Sequence, residues 1–328
     1  LSMSGTFLVR SGILNSVHTF ANDPSRGIFI LIFLFILILL SFFIFFKFFK
    51  NNISETNKIY LLSKETSILI NNWFIMYFLS VVLIGTVYPI FLEVISGEKI
   101  SIGPPFYHKL MIPFLIFFLL FMSIGPNLNW IKSKNLKFKY QLFLLFIVSI
   151  FISFTIQKNL GLKSLNNTVL VAAALYLFFI TLKDFFSKKF INYAQRISHL
   201  GFSLLILSIL FNSIFSSEII TNIKVGEKFS YWGGTIKLDS VESKKVKNYE
   251  SIIANFKLKD NKNNLTLLKP ELRIYDSPNT ITSEADIKTT LFYDKFLVMN
   301  LVKGNEYFNI RYQVKPFMIW IWISTCLL

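Results

Sequence analysis

Few residues in this chain could do coordination chemistry: three histidines and one cysteine among 328. His199 lies in Arg196-Ile197-Ser198-His199-Leu200-Gly201, and an uncharged run follows it to Ser217. An ionisable side chain inside a membrane span costs on the order of a few kcal/mol, so it is a functional candidate by default. Imidazole is also a common protein ligand for heme iron. His18 lies between Arg10 and Arg26, just outside another apolar run. An imidazole beside two arginines suits a heme, because guanidinium groups pair with propionate carboxylates while the ring reaches the iron. Both histidines also have an ordinary reading. His199 can be a helix-end residue bonded to backbone or water, and the His18 region a solvated interfacial loop with snorkelling arginines. Local chemistry leaves both readings open. His108, beside Lys109, reads as interfacial.

Other chemistries are missing. With Cys326 alone there is no internal disulfide framework and no CxxC redox or zinc pair. There is no P-loop, GxSxG, HExxH or GxGxxG. The acidic residues lie mostly beyond residue 217 and show no paired-carboxylate spacing.

The elements that must position these residues are membrane spans. Mean hydropathy is +0.55, and the apolar residues fall in uncharged blocks long enough to cross about 30 Å of hydrocarbon. The spans expected are Ile28–Phe46, Ser67–Leu92, Leu110–Ile131, Tyr140–Gln157, Leu165–Leu182 and Ile197–Ser216, with a seventh starting at Pro316. Between Glu218 and Lys315, short β-branched and aromatic runs alternate with Gly, Asn and Asp, which reads as strands joined by tight turns. The fold expected is an all-α polytopic membrane bundle with an inserted extracytoplasmic β-rich domain. Its parts are an outer loop (1–27), six spans (28–216), the β-rich domain (217–315) and the start of a last span (316–328). Both ends of the chain look cut, as in a fragment of a longer polypeptide. The abundance of Phe, Ile, Lys and Asn fits an AT-rich coding sequence, so much of the aromatic content needs no functional explanation.

The net charge of +16 is read first as topology. One set of short loops holds Lys47, Lys50, Lys58, Lys64, Lys132, Lys134, Lys137, Lys139, Lys183, Lys188, Lys189 and Arg196. The opposite set holds Arg10, Arg26, Lys99, Lys109, Lys158 and Lys163. The richer set is expected in the cytoplasm. His18 and the 218–315 domain then face outward, and His199 falls near the cytoplasmic end of its span. The basic patches flank spans, so membrane anchoring explains them better than nucleic acid.

Several stretches, taken together and in order, resemble one family. They are Gly5-Thr-Phe-Leu-Val-Arg-Ser-Gly-Ile-Leu-Asn-Ser-Val-His18-Thr-Phe-Ala-Asn-Asp-Pro-Ser-Arg-Gly27, Gly85-Thr-Val-Tyr-Pro89, Lys99-Ile-Ser-Ile-Gly-Pro-Pro-Phe-Tyr107 and Ile124-Gly-Pro126. Ser198-His199-Leu-Gly201, Lys269-Pro-Glu-Leu-Arg273-Ile-Tyr275 and Val314-Lys-Pro-Phe-Met-Ile-Trp-Ile-Trp322 follow. The chain resembles the cytochrome c maturation protein F family, the large heme-lyase subunit of c-type cytochrome assembly, over essentially its whole length.

The resemblance implies covalent attachment of heme to the CxxCH thiols of apocytochrome c, with heme delivered by a heme chaperone. It implies that His18 is one of two outer histidines flanking a tryptophan-rich docking loop. His199 would be one of two membrane histidines holding heme b, which is proposed to take electrons from quinol and keep the incoming iron ferrous. Arg10 and Arg26 become candidate propionate partners. The 218–315 domain becomes a candidate docking surface for apocytochrome or for thiol-reducing assembly subunits. The tryptophan-rich loop and the two partner histidines would precede Leu1, so this piece is expected to hold half of each heme site and to be inactive alone. The location implied is the bacterial inner membrane, or the mitochondrial inner membrane. The rival reading is a non-enzymatic transporter or a quinone-site respiratory subunit. A transporter is expected to show broken helices or mid-membrane charges; Gly85–Pro89 hints at a kink, but mid-span acids are lacking.

Overall fold

The computed structural model describes residues 2–11, 23–49, 60–98, 100, 102–132, 140–160, 165–186, 193–261, 263–276, 280–302 and 306–328. The chain divides into two compact units, Leu1–Ile180 and Thr181–Leu328.

The first unit is helical. A short helix, α1 (Ser2–Ser11), precedes the long α2 (Pro24–Phe49). Residues 2–11 were expected to belong to a loop, but they form a helix that packs on α2. Gly27 makes room for it, because a Cβ there would sit 2.9 Å from the Ser11 Cα. Asp23 starts α2 by accepting the Arg26 N–H, with Pro24 at the first helical position, where its missing donor costs nothing.

Next come α3 (Lys64–Ser96) and α4 (Pro104–Ile124). Ser63 caps α3 by accepting the Thr66 N–H, and Gly97 closes it in the left-handed region at φ 73°. The expected span Leu110–Ile131 is displaced toward the N-terminus. Pro104 suits a helix start, and a 3-10 turn at Gly125–Asn127, built around Pro126, ends the α-helix early. His108 is therefore helical, near the start of α4, and exposed. α3 continues through Pro89. The two helices meet through Tyr77, whose hydroxyl donates to the Leu110 carbonyl at 3.0 Å, and through a Phe74, Phe78, Phe118 and Phe121 cluster.

Two more helices follow, α5 (Tyr140–Leu160) and α6 (Leu165–Phe185). The Ser153 hydroxyl of α5 donates to the Thr168 carbonyl of α6 at 2.6 Å. The five helices α2 to α6 are each long and apolar enough to cross a membrane, as is α7 (Tyr193–Phe215) in the second unit.

Among the described residues, the second unit carries α7, ten strands and α8 (Met318–Leu327). The strands are β1 (Ser217–Ile223), β2 (Lys228–Tyr231), β3 (Gly234–Lys245), β4 (Tyr249–Asp260) and β5 (Leu265–Leu268). They continue as β6 (Glu271–Tyr275), β7 (Thr280–Glu284), β8 (Asp286–Thr289), β9 (Tyr293–Leu301) and β10 (Phe308–Pro316). One antiparallel sheet runs β1-β10-β9-β8; the other runs β2-β3-β4-β6-β7, with β5 also paired to β4. Inward residues of both sheets form one core: Ile223, Leu297, Met299, Ile310 and Tyr312 from the first; Ile236, Leu238, Ala254, Phe256 and Leu258 from the second. The Lys295 ammonium bridges the sheets to the Asp260 carboxylate at 2.9 Å. The hairpin joining β2 and β3 turns at Trp232-Gly233. Gly234 has φ 144° there, and a Cβ would collide with the Lys259 carbonyl.

Candidate functional site

His199 sits in the second turn of α7, half-buried. At 3.6 residues per turn, Arg196 and Ser203 lie within about 60° of it around the helix axis. Both are buried. Arg196 donates from Nη1 to the Phe185 carbonyl at the end of α6 (3.3 Å), and its guanidinium lies 5.8 Å from the Tyr193 ring centre. A cation there suits the negative end of the α6 dipole. The Ser203 and Thr181 hydroxyls are 2.7 Å apart. On another face of α7, α8 packs closely. A Cβ at Gly201 would meet the Leu327 Cβ at 2.8 Å, and the Ser198 hydroxyl donates to the Leu328 carbonyl. Thus α8 covers the Gly201 side, while the imidazole shares its face with a guanidinium one turn before it and a hydroxyl pair one turn after.

That arrangement fits a heme ligand in its donor chemistry. An imidazole can reach iron, and a neighbouring cation and hydroxyls can meet the polar edge of a macrocycle. His199 is the one histidine in Thr181–Leu328. Among the described residues, no group of three or more His, Cys, Asp or Glu could hold a metal ion by itself.

His18 lies outside the described residues. Arg10 and Arg26 are brought near one another, where the end of α1 meets the start of α2. Arg10 is in the last turn of α1, and its carbonyl accepts the Asp23 N–H at 2.9 Å. The Arg26 guanidinium, largely exposed, is paired with the Asp23 carboxylate at 3.1 Å. That carboxylate is held below the ordinary range by the Arg26 backbone N–H first, then by the Ser25 hydroxyl. A propionate at Arg26 would have to share it with Asp23.

Other stretches singled out in the sequence prove to be packing devices. Gly85 faces Tyr107, since a Cβ there would lie 2.7 Å from the phenol oxygen. In Lys269–Tyr275, Leu272 is in the core and Arg273 pairs with Glu271 at 3.0 Å. Arg196 and the Ser203–Thr181 pair were missed as site residues. The available signal was a charge seven residues before a serine inside an apolar run, which places both on one helical face.

Residues 214–316 match the family model of the CcmF C-terminal beta-sandwich. The cytochrome c-type biogenesis protein CcmF of Pseudomonas fluorescens is 28% identical over 341 residues, 99% of this chain and 51% of that protein. CcmF of Escherichia coli K12 is 28% identical over 330 residues, 98% of this chain and 51% of its own length. Over nearly its whole length the chain is similar to these CcmF proteins. It spans about half the length of these CcmF relatives. A solved structure of a cytochrome c heme lyase CcmF superposes with a TM-score of 0.65 over 82% of this chain and 45% of that one, at 21% identity. That likeness supports the fold: membrane helices followed by a β-sandwich.

Proposed function

We propose that this chain works in c-type cytochrome biogenesis, as part of a multi-pass inner-membrane protein that handles heme for covalent attachment to apocytochrome c. The observation that carries the reading is the imidazole of His199, inside a spanning helix and on one face with buried Arg196 and the Ser203–Thr181 hydroxyls. The names of its CcmF relatives support the pathway, and the name of the solved heme lyase supports the class of reaction.

His199 would hold heme b through its imidazole, and Arg196 would balance propionate charge. A second histidine for that site would come from outside Thr181–Leu328, where His199 is the one histidine. Arg10 and Arg26 would flank a second, outer site containing His18. Bound heme supplies one-electron redox chemistry; the protein supplies ligand, orientation and electrostatics. Thioether formation needs thiol and vinyl groups held together, so positioning by the sandwich and the outer loop would contribute much of the rate. The partners proposed are a heme chaperone, apocytochrome c, thiol-reducing assembly subunits and quinol as electron donor. The lysine distribution supports placing the sandwich on the extracytoplasmic side.

The test is His199→Ala and His18→Ala in the full-length protein, with His108→Ala as control. Membrane insertion is measured alongside covalently bound cytochrome heme and the absorbance of the purified protein. His199→Ala and His18→Ala should insert normally and abolish c-type cytochromes, and His199→Ala should also remove b-type absorbance. His108→Ala should do neither. Unchanged cytochrome levels in the first two variants would refute heme handling. A stoichiometric bis-histidine spectrum from this chain purified alone would refute the split membrane site.

A further inference from the structure

The turn between β8 and β9 carries two large apolar side chains into the open. Leu291 is 52% and Phe292 59% exposed. The turn itself is closed. The Thr290 N–H and hydroxyl both donate to the Tyr293 carbonyl, and the Tyr293 N–H donates back to the Thr290 hydroxyl. The tip therefore offers little free backbone for pairing with a strand from elsewhere.

Its position is fixed against the membrane helices of the same unit. The Phe292 carbonyl accepts the Phe317 N–H at 2.8 Å, immediately before α8. The Phe317 ring lies 5.5 Å from that of Phe211 on α7. The neighbouring Pro316 carbonyl accepts the Asn212 amide at 2.6 Å. Phe211 and Asn212 are in the last turns of α7, which spans about 35 Å at 1.5 Å per residue. The exposed tip thus stands at the level where a spanning helix leaves the hydrocarbon. Lys315, half-buried with its ammonium 5.2 Å from the Phe296 ring centre, lies one residue before Pro316. Apolar stems with a charged head at such a level can snorkel to headgroups.

We propose that Leu291 and Phe292 form a membrane anchor, seated in the lipid interface of the leaflet where α7 meets the sandwich. The occupant is lipid because the patch is continuous with the lipid-facing end of α7 and α8, to which one backbone hydrogen bond ties it. The anchor would hold the sandwich at a fixed tilt on the bilayer. This inference is independent of heme binding.

The test uses the whole chain reconstituted in phosphatidylcholine–phosphatidylglycerol vesicles. Cys326 is replaced (Cys326→Ser), and Phe292→Cys is labelled with an environment-sensitive fluorophore. Val225→Cys serves as the comparison; it is exposed just beyond the far end of β1, roughly 20 Å from α7 at about 3.3 Å per residue. Quenching by shallow doxyl-labelled lipid should be several-fold stronger at 292 than at 225, and quenching by aqueous iodide correspondingly weaker. Equal iodide quenching at the two positions would place the turn in water and overturn the proposal. Protection at 292 from both quenchers would mean that protein covers it, and would overturn it too. Leu291→Cys repeats the measurement on the neighbouring side chain, should the label at 292 prevent insertion.

Discussion

The spans and the sandwich bury opposite kinds of residue. In the sandwich most of the fully enclosed positions are large and apolar, among them Phe256, Leu238, Leu258 and Ile236, beside the phenol ring of Tyr312. Among the described helices, many buried positions are small or hydroxylic: Gly27, Gly85, Ser123, Ser149, Ser153, Gly201, Ser203 and Ser324. α2 buries only Gly27 and turns its phenylalanines outward; α6, with its buried Leu170–Leu177 run, is the exception. In water, apolar burial drives folding. In lipid that drive is spent on insertion, and helices associate where small residues let backbones approach and hydroxyls find carbonyls. One hydrophobic residue type thus means core in one region and solvent contact in the other.

The sharpest way to break this contrast is to make the same truncation in both. Phe256→Ala should destabilise the sandwich by about 3–5 kcal/mol, as for other buried aromatic deletions. Phe35→Ala, at a position 59% exposed on α2, should change stability by less than about 0.5 kcal/mol. Hydrogen exchange of strand and helix amides in the reconstituted chain reads both. Comparable losses would mean that α2 is packed against protein after all.

A somewhat smaller effect is expected where a helix depends on having no side chain. Gly201→Val would drive a Cβ to 2.8 Å from Leu327 and 3.1 Å from the Ser324 carbonyl. Relief requires moving backbone, so overpacking of about 1–3 kcal/mol should separate α7 from α8. Gly5→Val, with nothing near its Cβ, is the control. Disulfide cross-linking between cysteines introduced on facing positions of α7 and α8 should fall for the first variant and hold for the second.

How legible these features were depends on their range. The spans follow from composition alone, and the alternation in 217–315 signalled strands, because both patterns are local. The edges were less legible. Asp23-Pro24 and Gly103-Pro104-Pro105 are start signals that sit outside the apolar block, so a hydropathy reading began α2 and α4 late. The pairing of Ser217 with Val314 was not legible at all, because only the closed core fixes which distant strands meet. At the site, His199 stood out as an ionisable group in an apolar run. Arg196 was read as loop charge, although it is buried against the α6 terminus. Its role depends on where α6 ends, which no pattern around residue 196 records.

The smallest effect separates the two regions by charge. The sandwich carries surface carboxylates held below their ordinary range: Glu218 by Arg311 and then Gln313, Asp239 by Lys257 and then Lys237, and Glu271 by Arg273. For a depressed acid the folded state binds protons less tightly than the unfolded state. Its stabilisation is therefore present above the ordinary values of 3.8 for Asp and 4.5 for Glu, and is lost as pH falls through the depressed ones. Asp294 runs the other way. Burial raises it, so the folded state favours its protonated form, and its charge weakens the fold as pH rises past the ordinary Asp value. Acidification below about 4.5 should therefore lower the protection of the sandwich amides, taken relative to their intrinsic exchange at the same pH, while leaving that of α2 unchanged. Asp294→Asn should slow sandwich exchange at neutral pH and lose that advantage in acid. If α2 loosened in step with the strands, the titrating groups would be acting on the whole chain rather than on the sandwich alone.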